Sequence, residues 1–291
     1  PPADDAAAGS PFARLWTRGA QAPPERLRLA ALALAAAGDT SAADTARKLA
    51  DLRPGLKDPQ EAIAADVALA IAAHTAQQPE LGLAASARLI QEAPQSLQAM
   101  RIRLGSLTDA GRIPEAIAYA QARMAEHPEL EDLQSDVSQL QGSLGRFEEG
   151  ERGLQSLIDR GRASATDYNN LAWSQVVRGA VTDHTLDLIR TATQSRENAS
   201  SEHTLAVVLA DLGRTTEAKA LLLKEMDLRD ADEPGGNEWY VLGRIAEQLG
   251  IPEAARACYG RVKAESPREA ADRMSCPTLA AQRLAALKAA P

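Results

Sequence analysis

Four histidines and two cysteines are the side chains of this 291-residue chain best suited to chemistry. His74, His127, His184 and His203 are scattered, without the i, i+4 pairing that puts two ligands on one helix face. Neither H-E-x-x-H nor C-x2-C occurs, so no metal site is expected. Asp183-His184 places an acid beside a base, but adjacent residues on a loop rarely face one site. No G-x-S-x-G elbow presents a nucleophilic serine, and no G-x-x-x-x-G-K-[ST] loop could cradle a phosphate. Gly213-Arg214-Thr215-Thr216 is basic and glycine-led, yet it reads as a turn between helices. Paired acids such as Glu148-Glu149 read as solvated helix faces. We expect no enzyme, no metal and no cofactor in this chain.

The cysteines leave two readings. A turn near Ser266-Pro267 separates them, eight residues after Cys258 and nine before Cys276. In an antiparallel helical pair such offsets place both at similar height. One reading is a Cys258–Cys276 disulfide, which would need an oxidising compartment such as a periplasm. The other is two buried free thiols.

Composition narrows the class. Formal net charge is −8, which disfavours nucleic acid and anionic membrane surfaces, since both are bound by Lys and Arg. Hydrophobic residues make up 45% and aromatics 3%. Ala and Leu dominate, favouring close-packed helices over strands, which want β-branched and aromatic residues. A carbohydrate groove would also need more stacking rings. No apolar run approaches the ~18 residues of a membrane span. The opening PPADDAAAGS, with no signal peptide and no initiator methionine, reads as the start of a fragment or mature product.

The elements that would position any site are helical hairpins, clearest over residues 237–267 (NEWYVLGRIAEQLGIPEAARACYGRVKAESP). Gly250 is placed to end one helix in the left-handed conformation, and Pro252 to open the next. Gly243 and Ala255 let two backbones approach, while Trp239 and Tyr259 fill the space beside them. One hairpin cannot bury its own apolar stripe, so neighbours are required. The unit does recur. Gly111, Gly145, Gly179, Gly213 and Gly250 are spaced 34, 34, 34 and 37 residues apart, with a three-residue insertion assigned to 230–236. Pro94 and Pro128 are also 34 apart, and Ala116, Ala218 and Ala255 each follow their glycine by five.

With Trp239, Leu242-Gly243, Gly250, Ala255, Tyr259 and Pro267, this unit resembles the tetratricopeptide repeat. The resemblance implies an all-α, right-handed superhelix of about seven hairpins. Their helices are expected at 25–37/41–52, 59–76/79–93, 96–110/114–127, 131–144/147–160, 165–178/182–195, 200–212/216–228 and from 237 to 267. Residues 1–22 would form a leader and N-terminal cap, with Phe12 and Trp16 on one helix face. Residues 23–267 would form the solenoid, and 268–291 a C-terminal capping helix broken at Pro277. Phe147 is expected in the inter-repeat core.

The same resemblance implies a concave face lined by first helices. Its inward positions fall on Arg101, Gln139, Asn169, Trp173, His203, Asn237, Tyr240 and Arg244. Amides and Arg could bond a peptide backbone or carboxylates, and the rings could clamp a side chain. The Lys positions of the chaperone-carboxylate clamp are not matched. The expected function is a non-enzymatic module binding a peptide or protein partner. The alternatives are a scaffold or spacer in a bacterial envelope or polysaccharide-export assembly, or the regulatory arm of an enzyme whose catalytic domain is absent. The blocks YNNLAW (168–173), HTLAVVLADLGR (203–214) and EWYVLGRIAEQLG (238–250) resemble C-terminal repeat arrays of large bacterial proteins, and the compartment, bacterial cytoplasm or periplasm, stays open.

Overall fold

A computed structural model describes residues 42–194, 200–228 and 232–289. The leader and cap over 1–22, with Phe12 and Trp16, and the helix expected over 25–37 lie outside the described residues. Helices and turns make up the described residues, with no strand among them. The chain divides into two compact units, Pro1–Leu133 and Gln134–Pro291.

The first unit carries α1 (Ala42–Leu52), a 3-10 turn (Arg53–Gly55), α2 (Pro59–Thr75), α3 (Pro79–Glu92), α4 (Leu97–Asp109), α5 (Ile113–Glu126) and a second 3-10 turn (Pro128–Leu130). Local chemistry sets the starts. Asp58 accepts from the N–H groups of Gln60 and Glu61 at the head of α2, with Pro59 in its first turn, where its missing N–H leaves no bond unmade. Ser96 accepts from Ala99 N to begin α4. Small residues let the helices close: Ala46, Ala65, Ala72 and Ala85 are buried with Leu49 and Leu69. One carboxylate is buried among them. Asp66 is 0% exposed and accepts from Arg53 Nε at 2.8 Å and Arg88 Nε at 2.9 Å.

The second unit carries α6 (Leu133–Ser143), α7 (Phe147–Asp159), α8 (Ala165–Val177), α9 (Asp183–Thr193), α10 (Ser200–Asp211), α11 (Thr215–Leu228), α12 (Gly236–Gln248), α13 (Pro252–Tyr259), α14 (Pro267–Ala271) and α15 (Cys276–Ala289). The first helices α8, α10 and α12 pack side by side, each with its second helix, α9, α11 or α13, folded against it. Ser164 and Asp167 form a reciprocal capping box at α8, and Thr182 and Thr185 do the same at α9. Gly150 brings α7 onto α6, where a Cβ would lie 2.7 Å from the Ser138 carbonyl oxygen. Gly243 faces the Tyr259 ring, into which a Cβ would collide. Ala255 is fully buried in the same core.

Each turn glycine of the 34-residue series has positive φ, between 67° and 79°. The series extends one period further than the glycines do. Gln77, 34 residues before Gly111, has φ 53°, so the turn geometry persists where its usual residue does not.

The segment expected as a C-terminal cap breaks at 272–275 rather than at Pro277. Pro277 is the second residue of α15, where proline removes no helical bond. The break comes from Asp272. Its side chain accepts from Met274 N at 2.8 Å, and its carbonyl from Ser275 N at 3.2 Å. This is a local turn that competes with helix.

Candidate functional site

Within Gln134–Pro291, the turn at 272–275 is seated on the face formed by the first helices. The Trp173 indole N–H on α8 donates to the Met274 carbonyl at 2.8 Å. Arg273 N approaches the Ser143 carbonyl at 3.4 Å. The Met274 thioether lies against Gly142, where any Cβ would collide with Sδ. The Arg273 side chain lies over Gly145, its Cδ 2.8 Å from where a Cβ would stand. At the start of α15, Cys276 Sγ lies 3.5 Å from His203 Nε2 on α10. One short segment thus touches α6, α8 and α10.

Rings continue the face. Trp173 lies 5.5 Å from His203 and 6.4 Å, edge-on, from Tyr240. Tyr240 lies 5.8 Å from Tyr259. Beside the turn, a cavity of about 150 Å³ opens between α6, α7 and α8, lined by Ser138, Phe147, Leu154, Asn170, Trp173 and Met274 among others. Phe147 is half-buried at this cavity.

A charge cluster stands behind the rings. Arg244 on α12 donates from Nε to Asp211 at 2.7 Å and from Nη1 to Glu247 at 2.5 Å. Glu247 also accepts from Tyr259 and from Arg283 of α15, at 3.0 Å (Nε) and 2.7 Å (Nη2). Burial pushes the Glu247 carboxyl up, but the bonds from Arg283 and Tyr259 outweigh it and hold it below its ordinary value. Burial pushes Asp211 up despite Arg244 beside it. Tyr240 and Tyr259 are both raised, chiefly by burial. Burial pushes the Cys276 thiol up to about 12, so at neutral pH its contact with His203 is that of a neutral thiol, with the donor set by the imidazole tautomer.

The expected site residues divide by place. Trp173 and His203 stand together under the turn, and Gln139 lines the cavity. Tyr240 is 3% exposed and Asn169 7%, so both form floor rather than surface. Asn169 Oδ1 has no protein partner. Arg244 is held in the charge cluster. Asn237 is exposed at a separate depression beside Lys263 and Glu269. Arg101 is exposed on α4 of the first unit. Cys258 and Cys276 are both free thiols. Gly142 and Met274 were not singled out by sequence. The only signal was the turn-forming pair Asp272 and Ser275, which says where the chain bends but not what it touches. Among the described residues no group of His, Cys, Asp and Glu could hold a metal ion, and no helix is long and apolar enough to cross a membrane.

No protein-family model matches the chain, and no curated protein matches it in sequence. Solved structures do. A tetratricopeptide repeat protein from Parabacteroides merdae superposes with TM-score 0.59 at 13% identity, covering 88% of this chain and 100% of that one. The APC/C hetero-tetramer Cut9–Hcn1 gives TM-score 0.52 at 15% identity, covering 89% of this chain and 52% of that one. This chain therefore spans about half the length of the second neighbour. At these identities the likeness is one of fold, and the fold is that of the tetratricopeptide solenoids.

Proposed function

We propose that this protein is a non-enzymatic interaction module that binds a peptide or protein partner on the first-helix face of Gln134–Pro291. The seat of the 272–275 turn carries the reading. This face already holds non-helical main chain, through an indole donor and a near-lying backbone carbonyl. Trp173, His203 and Gln139 are its contact residues, with Asn237 at a rim. Asn169 and Tyr240 shape the floor, and Arg244 fixes the helices beneath it. Arg101 is the corresponding candidate on the other unit. Tetratricopeptide folds commonly serve as protein–protein interaction modules, and one neighbour was solved as a hetero-tetramer. The net charge of −8 makes nucleic acid a poor partner.

The same seat favours a second reading, a scaffold or spacer in a bacterial envelope or export assembly. A face covered permanently by its own chain serves architecture rather than recognition. Peptide display separates the two. The full chain would carry Asp272→Gly, Arg273→Gly and Met274→Gly to uncover the face, and the counter-screen would add Trp173→Ala and His203→Ala, with matched helicity by circular dichroism. Peptides lost in the counter-screen support binding on this face. Peptides retained by both move the site elsewhere, and no enrichment from either favours the scaffold.

A further inference from the structure

We propose that the 272–275 turn is a resident stand-in for the partner, and that the partner is a peptide turn carrying a bulky apolar side chain, best an aromatic one, where Met274 sits. This rests on the reading of the face given above and specifies its ligand.

Three observations carry it. First, the turn is made by its own residues: Asp272 bonds Met274 N and Ser275 N, and Ser275 Oγ accepts from Thr278 N and donates to the Glu269 carbonyl. These bonds lie within residues 269–278, so a peptide copying that stretch carries the groups that make the turn. Second, its hold on the face is slight. It consists of the Trp173 bond, the long approach to Ser143, the packing of Met274 and Arg273 on Gly142 and Gly145, and the weak Cys276–His203 contact at its end. The helix that follows is anchored separately, by Arg283 on Glu247 and by buried Leu279 and Ala280. The turn, with Cys276 at the head of α15, can therefore leave while the rest of α15 stays. Third, the resident does not fill its site. The cavity of about 150 Å³ persists beside Met274, between Phe147 and Leu154 on one side and Trp173 on the other. Its walls are mixed: Phe147, Leu154 and Trp173 offer apolar surface, and Ser138, Asn170 and Ser174 offer polar surface. A side chain larger than methionine's would bury more surface there.

The test uses the full chain and fluorescence anisotropy. The probes are labelled peptides copying residues 268–279, with serine for the cysteine and with Met, Phe, Ala or Asp at the Met274 position. In the chain carrying Asp272→Gly, Arg273→Gly and Met274→Gly, the Phe peptide should bind at least about tenfold tighter than the Ala peptide. The Asp peptide should not bind measurably. The wild-type chain, its face occupied, should bind the Phe peptide at least about tenfold more weakly than the uncovered chain. Adding Gly142→Leu, which fills the notch from the helix side, should abolish the preference for Phe. The inference is overturned if the four peptides bind alike, if wild-type and uncovered chains bind alike, or if Gly142→Leu changes nothing. If display yields peptides that need Trp173 and His203 while this series fails, the stand-in falls and the binding face stands. If neither yields a ligand, both fall.

Discussion

Trp173 Nε1 and the Met274 carbonyl oxygen, 101 residues apart in sequence, are joined by a hydrogen bond of 2.8 Å. Trp173→Phe keeps the ring and removes the donor. A partly buried, neutral bond of this kind is worth about 1 kcal/mol. We predict a loss of that size in urea unfolding, together with faster alkylation of Cys276, since the turn that precedes it is released. Unchanged Cys276 reactivity would mean that the bond does not hold the turn.

Glycine substitutions should differ in sign. At Gly243 a Cβ would run into the Tyr259 ring, itself 1% exposed. Overpacking of this kind costs about 1–3 kcal/mol, exceeding the roughly 0.5–1 kcal/mol an alanine gains in a helix. Gly105 of α4 has nothing within 4 Å of a built Cβ, so Gly105→Ala should stabilise by about 0.5–1 kcal/mol. At the left-handed Gln77, Gln77→Gly should also stabilise, by roughly 0.5–1 kcal/mol, because relief of the 1–2 kcal/mol strain outweighs the added entropy of the unfolded chain. Thermal melts of the three variants test the set, and Gly243→Ala melting above wild type would contradict the packing described.

Asp66 is the strongest electrostatic commitment of the first unit. Removing a buried carboxylate while leaving Arg53 and Arg88 in place costs about 3–5 kcal/mol. Asp66→Ala should lose that much in denaturant unfolding, and a loss under about 1 kcal/mol would show that the guanidiniums find water instead.

Glu247 predicts a pH dependence. Its carboxyl is held below its ordinary value. A depressed carboxyl contributes stability that is present above its unfolded value and lost as pH falls through its folded value. Asp211, raised by burial, acts in the opposite sense: its contribution is present at low pH and lost as pH rises. Glu247→Gln removes the first effect and, through the shared Arg244, also relaxes Asp211. The difference from wild type should be on the order of 1.5–3 kcal/mol at pH 7 and shrink below about pH 4. A difference constant from pH 7 to pH 3 would show that Glu247 acts through shape rather than charge.

Much of the fold was legible because its determinants are local. Ser96, Ser164 and Thr182 cap helices that begin where the pattern expects, and the turn glycines all take positive φ. Gln77 escaped because the backbone conformation recurs while the residue type does not. The candidate face was legible only as positions. Spacing places Trp173 and His203 inward but cannot show that Met274 lies upon them, because that contact closes a loop of about a hundred residues. Arg244 illustrates the same limit. Its i, i+3 partner Glu247 is visible in sequence, whereas Asp211 and Arg283 reach the cluster only through the fold.

The most direct test of the account is the alkylation rate of Cys276 in the full chain carrying Cys258→Ser, with and without a saturating peptide that bears Phe at the Met274 position. Cys276 is 7% exposed while the turn is seated. If the partner takes the turn's place, the peptide should raise the rate at least about tenfold, as local opening becomes the populated state. A peptide that binds and leaves the rate unchanged would contradict the account, because turn and ligand would then occupy different places.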